Sequence, residues 1–383
     1  MKIYSRKQRE RIVRRNIAHR RGLIYRKRTR SRAGRPSLAS AEALRDWLTK
    51  RIESGEINAA IHSKGSVTIT LPKVMNFSDH YEGTAVQINA IRKLAPQNRV
   101  FSNNLRLGQV NFDQLEAIST SAALVLTAEL SKWNDHKRHR LLPKVGNWDP
   151  DIFSRFYQLG FFELFRKTAE VEELSLGVGG VDEVRLVQYI KGKTGAASKT
   201  RQLKEAITDI IGDKISKWPI LNSGLSEAIT NVSQHAYPKS QGFSQNHKHW
   251  YLSGGYNPNT KELKFVFYDQ GIGIPNSLPS SEIWEKVVAF LSFVPAMERK
   301  HDELLLKAAV EIERTSTEET DRGKGLQDLM EFINERGQGY LSILSQHGLY
   351  KYSVDNDNAV VKSERFLYPV EGTLIIWKVT LIE

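Results

Sequence analysis

The chain of 383 residues has no cysteine, which excludes disulfides, thiolate nucleophiles and zinc-cysteine centres. No apolar run approaches the roughly 18–20 residues that span a bilayer, and the N-terminus lacks the apolar segment of a secretory signal. No membrane partner is expected. The lack of thiols fits a reducing cytosol, so a cytoplasmic location is the expectation. Acidic residues are nearly missing from one region: residues 1–36 carry fifteen Lys and Arg against Glu10 alone. The rest holds 41 of the 56 basic and 42 of the 43 acidic side chains, so a near-neutral body carries a basic arm. The 40% hydrophobic fraction is ordinary for a soluble protein, and the length allows two or three domains with their own cores.

The arm has Arg14-Arg15, Arg20-Arg21 and Arg26-Lys27-Arg28 with few apolar anchors between them. Self-repulsion predicts a segment that is disordered alone and that drapes over a nucleic acid or another polyanion. It ends Arg32-Ala33-Gly34-Arg35-Pro36, which resembles the Gly-Arg-Pro core of AT-hooks, without the Arg directly before the glycine. Arg32, Gly34, Arg35 and Pro36 are the candidate contacts. Two readings stand: a minor-groove hook, or a solvated tail that binds any acidic surface weakly.

A helix is predicted from about Ser40 to Glu53, with Leu44, Leu48 and Ile52 four apart. Residues 66–170 then alternate: a strand over Ser66–Leu71, a helix over Val86–Leu94, an apolar helix over Ala122–Leu130, and an aromatic-rich helix pair over Asp149–Phe165. Such alternation predicts a small α/β domain over 37–171. The stretch Leu115–Ala123 resembles the strand-to-helix turn of STAS domains. The resemblance implies a protein-interaction scaffold with Ser121 at the position that is phosphorylated in regulated members. Here Ser119 replaces the Asp and Ala122 the Gly of that motif, and capping of the following helix is the competing reading.

From about residue 172 the organisation changes. Val184–Ile190 reads as a strand and Ser198–Lys214 as a helix. After Pro219, Leu225, Ile229 and Val232 form one helical stripe, and Glu227, Asn231 and Gln234 another roughly half a turn away. Glu227 and Asn231 are i, i+4 neighbours, so a carboxylate and an amide oxygen point into one space. Downstream, Leu263, Phe265 and Phe267 alternate in a strand that runs into Asp269-Gln270-Gly271-Ile272-Gly273. An acid at a strand end, followed by alternate glycines, lets backbone approach a flat ligand while the carboxylate accepts its N–H. Asp321-Arg322-Gly323-Lys324-Gly325 then opens a helix, exposing backbone N–H groups to an anion. Glu371-Gly372-Thr373 opens a last strand, Leu374–Leu381.

These four segments in this order resemble the GHKL ATPases, the group of gyrases, heat-shock chaperones, histidine kinases and mismatch-repair ATPases. The resemblance covers 172–383 and implies a Bergerat-type α/β sandwich, a mixed sheet with helices on one face. It also implies ATP and Mg²⁺ as ligands. Asp269 would read the adenine amino group with Thr373 in support, Gly271 and Gly273 would admit the base, and Gly323, Lys324 and Gly325 would cradle the phosphates. Asn231 would supply an oxygen to Mg²⁺, and Glu227 would deprotonate the attacking water. His235 is read as a capping or packing residue.

Glu227 argues against a sensor histidine kinase, and Glu227–Asn231 followed by His235-Ala236-Tyr237 looks closest to the anti-sigma-factor serine kinases. The segment 275–322, with helices over Ser281–Leu291 and Glu303–Glu313, takes the place of an ATP lid and is longer than in those kinases. Such a lid suits closure recognised by a protein partner or by a second protomer in a homodimer. With Glu383 just after the last strand, the transducer domain of the gyrase and mismatch-repair branches is not expected. The expectation is an ATP hydrolase acting as a conformational switch in a bacterial regulatory or defence complex. A serine/threonine kinase is one alternative, and a DNA-associated regulator that binds ATP with little hydrolysis is another.

Overall fold

The computed structural model describes residues 38–94, 105–133, 145–165, 184–193, 199–211, 218–238, 248–315, 324–356 and 358–381. The arm, including Arg32, Gly34, Arg35 and Pro36, lies outside them, as does Gly323.

The described chain opens with helix α1 (Leu38–Glu53), whose Leu48 is fully buried. Strands β1 (Asn58–Ile61), β2 (Ser66–Thr70) and β3 (Val74–Met75) follow, then α2 (Tyr81–Lys93), β4 (Arg106–Asn111) and β5 (Ala117–Ile118). β2 pairs antiparallel with β1 and parallel with β4, and β3 pairs parallel with β5. Helix α3 (Thr120–Ser131) is buried along its whole length, as a helix that is apolar all round must be. Ser119 caps it by accepting from the Ala122 N–H at 3.2 Å. Helix α4 (Pro150–Leu159) starts on Asp149 with Pro at its first turn and stops at Gly160 in the left-handed conformation.

The second half contains β6 (Arg185–Leu186), β7 (Ile190–Lys193), α5 (Lys199–Ile211) and α6 (Trp218–Asn231), which begins with Pro219 in its first turn. Then come β8 (His249–Asn257), β9 (Glu262–Asp269), a short α7 (Ile274–Ser277), α8 (Trp284–Phe290), α9 (Asp302–Thr315), α10 (Lys324–Arg336), β10 (Gln338–Asp355) and β11 (Asn358–Thr380). Six strands form one sheet in the order β10-β11-β9-β8-β6, with β7 also on β8. Every described pairing in it is antiparallel, where a mixed sheet was expected. The protein is thus mixed α/β, with parallel pairing confined to the first half.

Two further boundaries differ from the sequence reading. Val184–Ile190 is not one strand; β6 and β7 meet different parts of β8. The last strand does not open after Gly372 but starts at Asn358, and Gly372 sits where the β10–β11 ribbon shifts register. There Gln346 has φ +54° and Gly372 φ +95°. The ribbon bends sharply at this point: the Lys351 ammonium lies 4.7 Å from the ring of Tyr340, eleven residues earlier in the same strand. An unbent strand would separate them by about 36 Å.

Strand alternation divides the core between the two faces of this sheet. One face presents Trp250, Leu252, Phe265, Phe267 and Trp377 to Leu203 and Ile207 of α5, Leu225 and Ile229 of α6, and Leu329 and Phe332 of α10. The other presents Tyr251, Val266, Tyr268, Leu374 and Ile376 to a core shared with α2 and α3. Helices therefore cover both faces, because the first half of the chain supplies the second layer.

Candidate functional site

Between α6 and the sheet lies a cavity of about 390 Å³ whose walls include Phe265, Phe267, Ile375, Trp377 and Leu329. Its volume is within the range of small-molecule sites. The cavity is also lined by Glu227, Asn231, Asp269, Gly273 and Thr373, five residues from three separate sequence motifs. Gln234 and His235 also line it.

Asp269 ends β9, opposite Thr373 of β11 in the sheet register. It is only 2% exposed. One carboxylate oxygen accepts the Gly271 N–H at 2.7 Å, and the Thr373 hydroxyl also donates to the group. Burial pushes this carboxyl up to about 6, against the pull of those two donors. Among the described residues no cation lies within ion-pair distance of it. A nearly buried carboxylate with unfilled acceptor capacity at a cavity wall can bind an N–H donor on a flat ligand.

The backbone around Asp269 is held from two sides. Helix α6 does not stop at Asn231 but widens into a π-turn over Val232–Ala236. The Ala236 carbonyl accepts the Ile272 N–H at 2.9 Å, and a Cβ on Gly271 would lie 2.4 Å from that carbonyl oxygen. Glycine at 271 is thus required by close approach. From the other side Ser345 of β10 accepts the Ile274 N–H at 2.9 Å and donates to the Gly372 carbonyl at 2.8 Å. At Gly372 a Cβ would meet the Asp269 carbonyl oxygen at 2.1 Å.

Glu227 and Asn231 stand one turn apart on the last part of α6, as their spacing predicts, and Thr230 between them bonds the Ser226 carbonyl at 2.9 Å. Among the described residues no group of three or more His, Cys, Asp or Glu could hold a metal. A cation here would take the Asn231 oxygen and few other protein ligands, the habit of Mg²⁺. Lys324 and Gly325 form the first turn of α10, which packs on α6. The segment after Gly273 closes one side of the cavity through Ser277, Ser281 and Val310 and has a small core of its own around Leu278, Val287, Leu305 and Ile312.

Ser121 is elsewhere. It lies in the first turn of α3, 2% exposed, with its hydroxyl 3.0 Å from that of Ser119. That geometry serves the helix start and keeps the hydroxyl from solvent.

Sequence reasoning missed the supports: the π-turn, Ser345, Gln346 (whose amide donates to the Ile272 carbonyl at 2.9 Å), and Gln270. Gln270 is 5% exposed and points away from the cavity to Glu129 of α3. An amide between an acid and a glycine carries no signal of such a partner.

Compared with known proteins, the chain matches no family model, and no curated protein matches it.

Proposed function

We propose that the protein binds ATP with Mg²⁺ in the cavity between α6 and the sheet and hydrolyses it as the drive for a conformational switch. The observation that carries this reading is convergence: motifs near 227, 269 and 373, far apart in sequence, line one cavity. Asp269 accepts the amino group of the base, and Thr373 orients the carboxylate. The apolar walls sandwich the ring. Asn231 would be the protein ligand for Mg²⁺, which would neutralise phosphate charge. Glu227, one turn before it, is the base that takes a proton from the attacking water. The first turn of α10, Lys324 and Gly325, would meet the phosphates with its backbone N–H groups. Together with the order of the motifs, this supports a Bergerat-type module, in which the helical segment after Gly273 closes over the nucleotide.

In the kinase alternative Ser121 is a poor acceptor, since it is buried in the first turn of α3. Hydrolysis is tested by phosphate release from ATP with Mg²⁺. Glu227→Ala should lower release by about 10²-fold or more with ATP affinity little changed, the usual cost of losing a general base. Unchanged release would sink the assignment of Glu227, and label transferred to protein would favour the kinase.

A further inference from the structure

On the far side of the sheet from the cavity, one buried carboxylate bonds both neighbours of Asp269 and is linked through Arg92 and Tyr268 to the strand that carries Thr373. Glu129 of α3 is 2% exposed. Its Oε1 accepts the Gln270 amide at 3.0 Å, lies 3.0 Å from the Tyr268 hydroxyl, and pairs with Arg92 of α2 at 3.2 Å. Its Oε2 pairs with Lys132 at 3.1 Å. Arg92 reaches on to the Glu371 carboxylate at 2.7 Å, and the Tyr268 hydroxyl lies 3.0 Å from the Glu371 carbonyl oxygen. Both residues flanking Asp269 therefore end on Glu129. The residue two before Thr373 is held through its carbonyl and its carboxylate. Residue 270 is gripped a second time, by the Tyr237 hydroxyl on its N–H at 3.1 Å.

We propose that Glu129, Arg92 and Gln270 are positioning residues that set how the cavity reads the base, so that the N-terminal α/β unit controls nucleotide selectivity. The inference rests on the ATP reading above. None of the three lines the cavity. They act by fixing the backbone on either side of the Asp269–Thr373 pair. A charged, fully bonded network tolerates only one arrangement, and such rigidity is what an angle-sensitive hydrogen bond to a base requires. By linkage, a bound base must in turn rigidify the network and helix α3.

The test compares ATP with purine riboside triphosphate, which lacks only the amino group. Affinities of the full chain, of Gln270→Met and of Glu129→Gln are measured by calorimetry. The wild type should prefer ATP. Both variants should lose about tenfold of that preference with affinity for the amino-free analogue changed by less than about twofold. A merely structural role would lower the melting temperature and leave the ratio untouched, and that result overturns the proposal. If Glu129→Gln fails to fold, Gln270→Met decides alone, since it deletes one hydrogen bond and no charge. Asp269→Asn separates the two levels. If it keeps the wild-type preference, the base reading falls and the positioning role with it. If it abolishes the preference while Gln270→Met retains it, only the positioning role falls. As a second readout, saturating ATP should slow amide exchange across residues 120–131 in the wild type and not in Gln270→Met.

Discussion

Two buried carboxylates, one on each face of the same sheet, behave in opposite ways. Asp269 faces the cavity and is pushed up to about 6 by burial. Glu129 faces the back; burial would raise it too, but Arg92 and Lys132 beside it hold it below its ordinary value. Their neighbours explain the difference. Asp269 has two dipolar donors and a wall of aromatic rings, whereas Glu129 has two cations, a phenol and an amide. Alternation along β9 lets Tyr268, Asp269 and Gln270 serve the two faces in turn. The front face keeps a carboxylate whose charge burial disfavours, which is what the proposed binding role requires. The back face neutralises its charge, which marks a structural one.

The comparison breaks most visibly at Arg92. Its side chain is 14% exposed and bridges Glu129 and Glu371. Arg92→Met should destabilise the fold by about 3–5 kcal/mol, since it leaves a buried acid short of its counter-charge. Urea titration measures it. A loss of only about 0.5 kcal/mol, the scale of a surface change, would mean that the back face is not a neutralised network.

Gly372 joins the faces and should rank next. Alanine there combines φ of +95° with a contact of 2.1 Å to the Asp269 carbonyl oxygen. A destabilisation of about 1–3 kcal/mol is expected from the strained backbone. If Asp269 reads the base as proposed, ATP affinity should fall as well, because that oxygen belongs to Asp269. A variant as stable as wild type would show that the ribbon can relax at the bend.

How much of this was legible in the sequence follows from distance along the chain. Leu263, Phe265 and Phe267 alternate because they share a face, and Glu227 and Asn231 share a face because they are one turn apart; both patterns are local. Asp269 beside two glycines was legible because a close backbone approach demands residues without a Cβ. Glu129 with Gln270 was not. Glu129 sits in an apolar helix 141 residues away, and periodicity reports that a residue is buried without naming what it is buried against. The antiparallel sheet, the ribbon bend at Gln346 and the π-turn after Asn231 were hidden for the same reason, since each is imposed by a partner surface. The layer of α2 and α3 on the second face belongs with them: an amphipathic segment shows that it has a core side, not whose core it completes.

The last expected effect has the opposite sign and sharpens the contrast most. Asp269 gains protons on folding between its ordinary value of 3.8 and about 6. Over that interval the folded state binds more protons than the unfolded one, so this group's contribution to stability declines as pH rises, and the loss is complete above about 6. Asp269→Asn removes the titration and keeps an oxygen to accept the Gly271 N–H. The variant should therefore be more stable than wild type by about 2 kcal/mol at pH 8 and close to it below pH 4. Its new amide would meet the amino group of the base with a donor, so the same substitution should abolish ATP binding. Melting temperatures of both proteins across pH 4–8 measure the first effect and calorimetry the second. A gain in stability coupled to a loss of binding is the signature of a carboxylate kept for a ligand. If the variant were instead destabilised at pH 8, Asp269 would belong with Glu129 as a structural acid, and the distinction between the two faces would collapse.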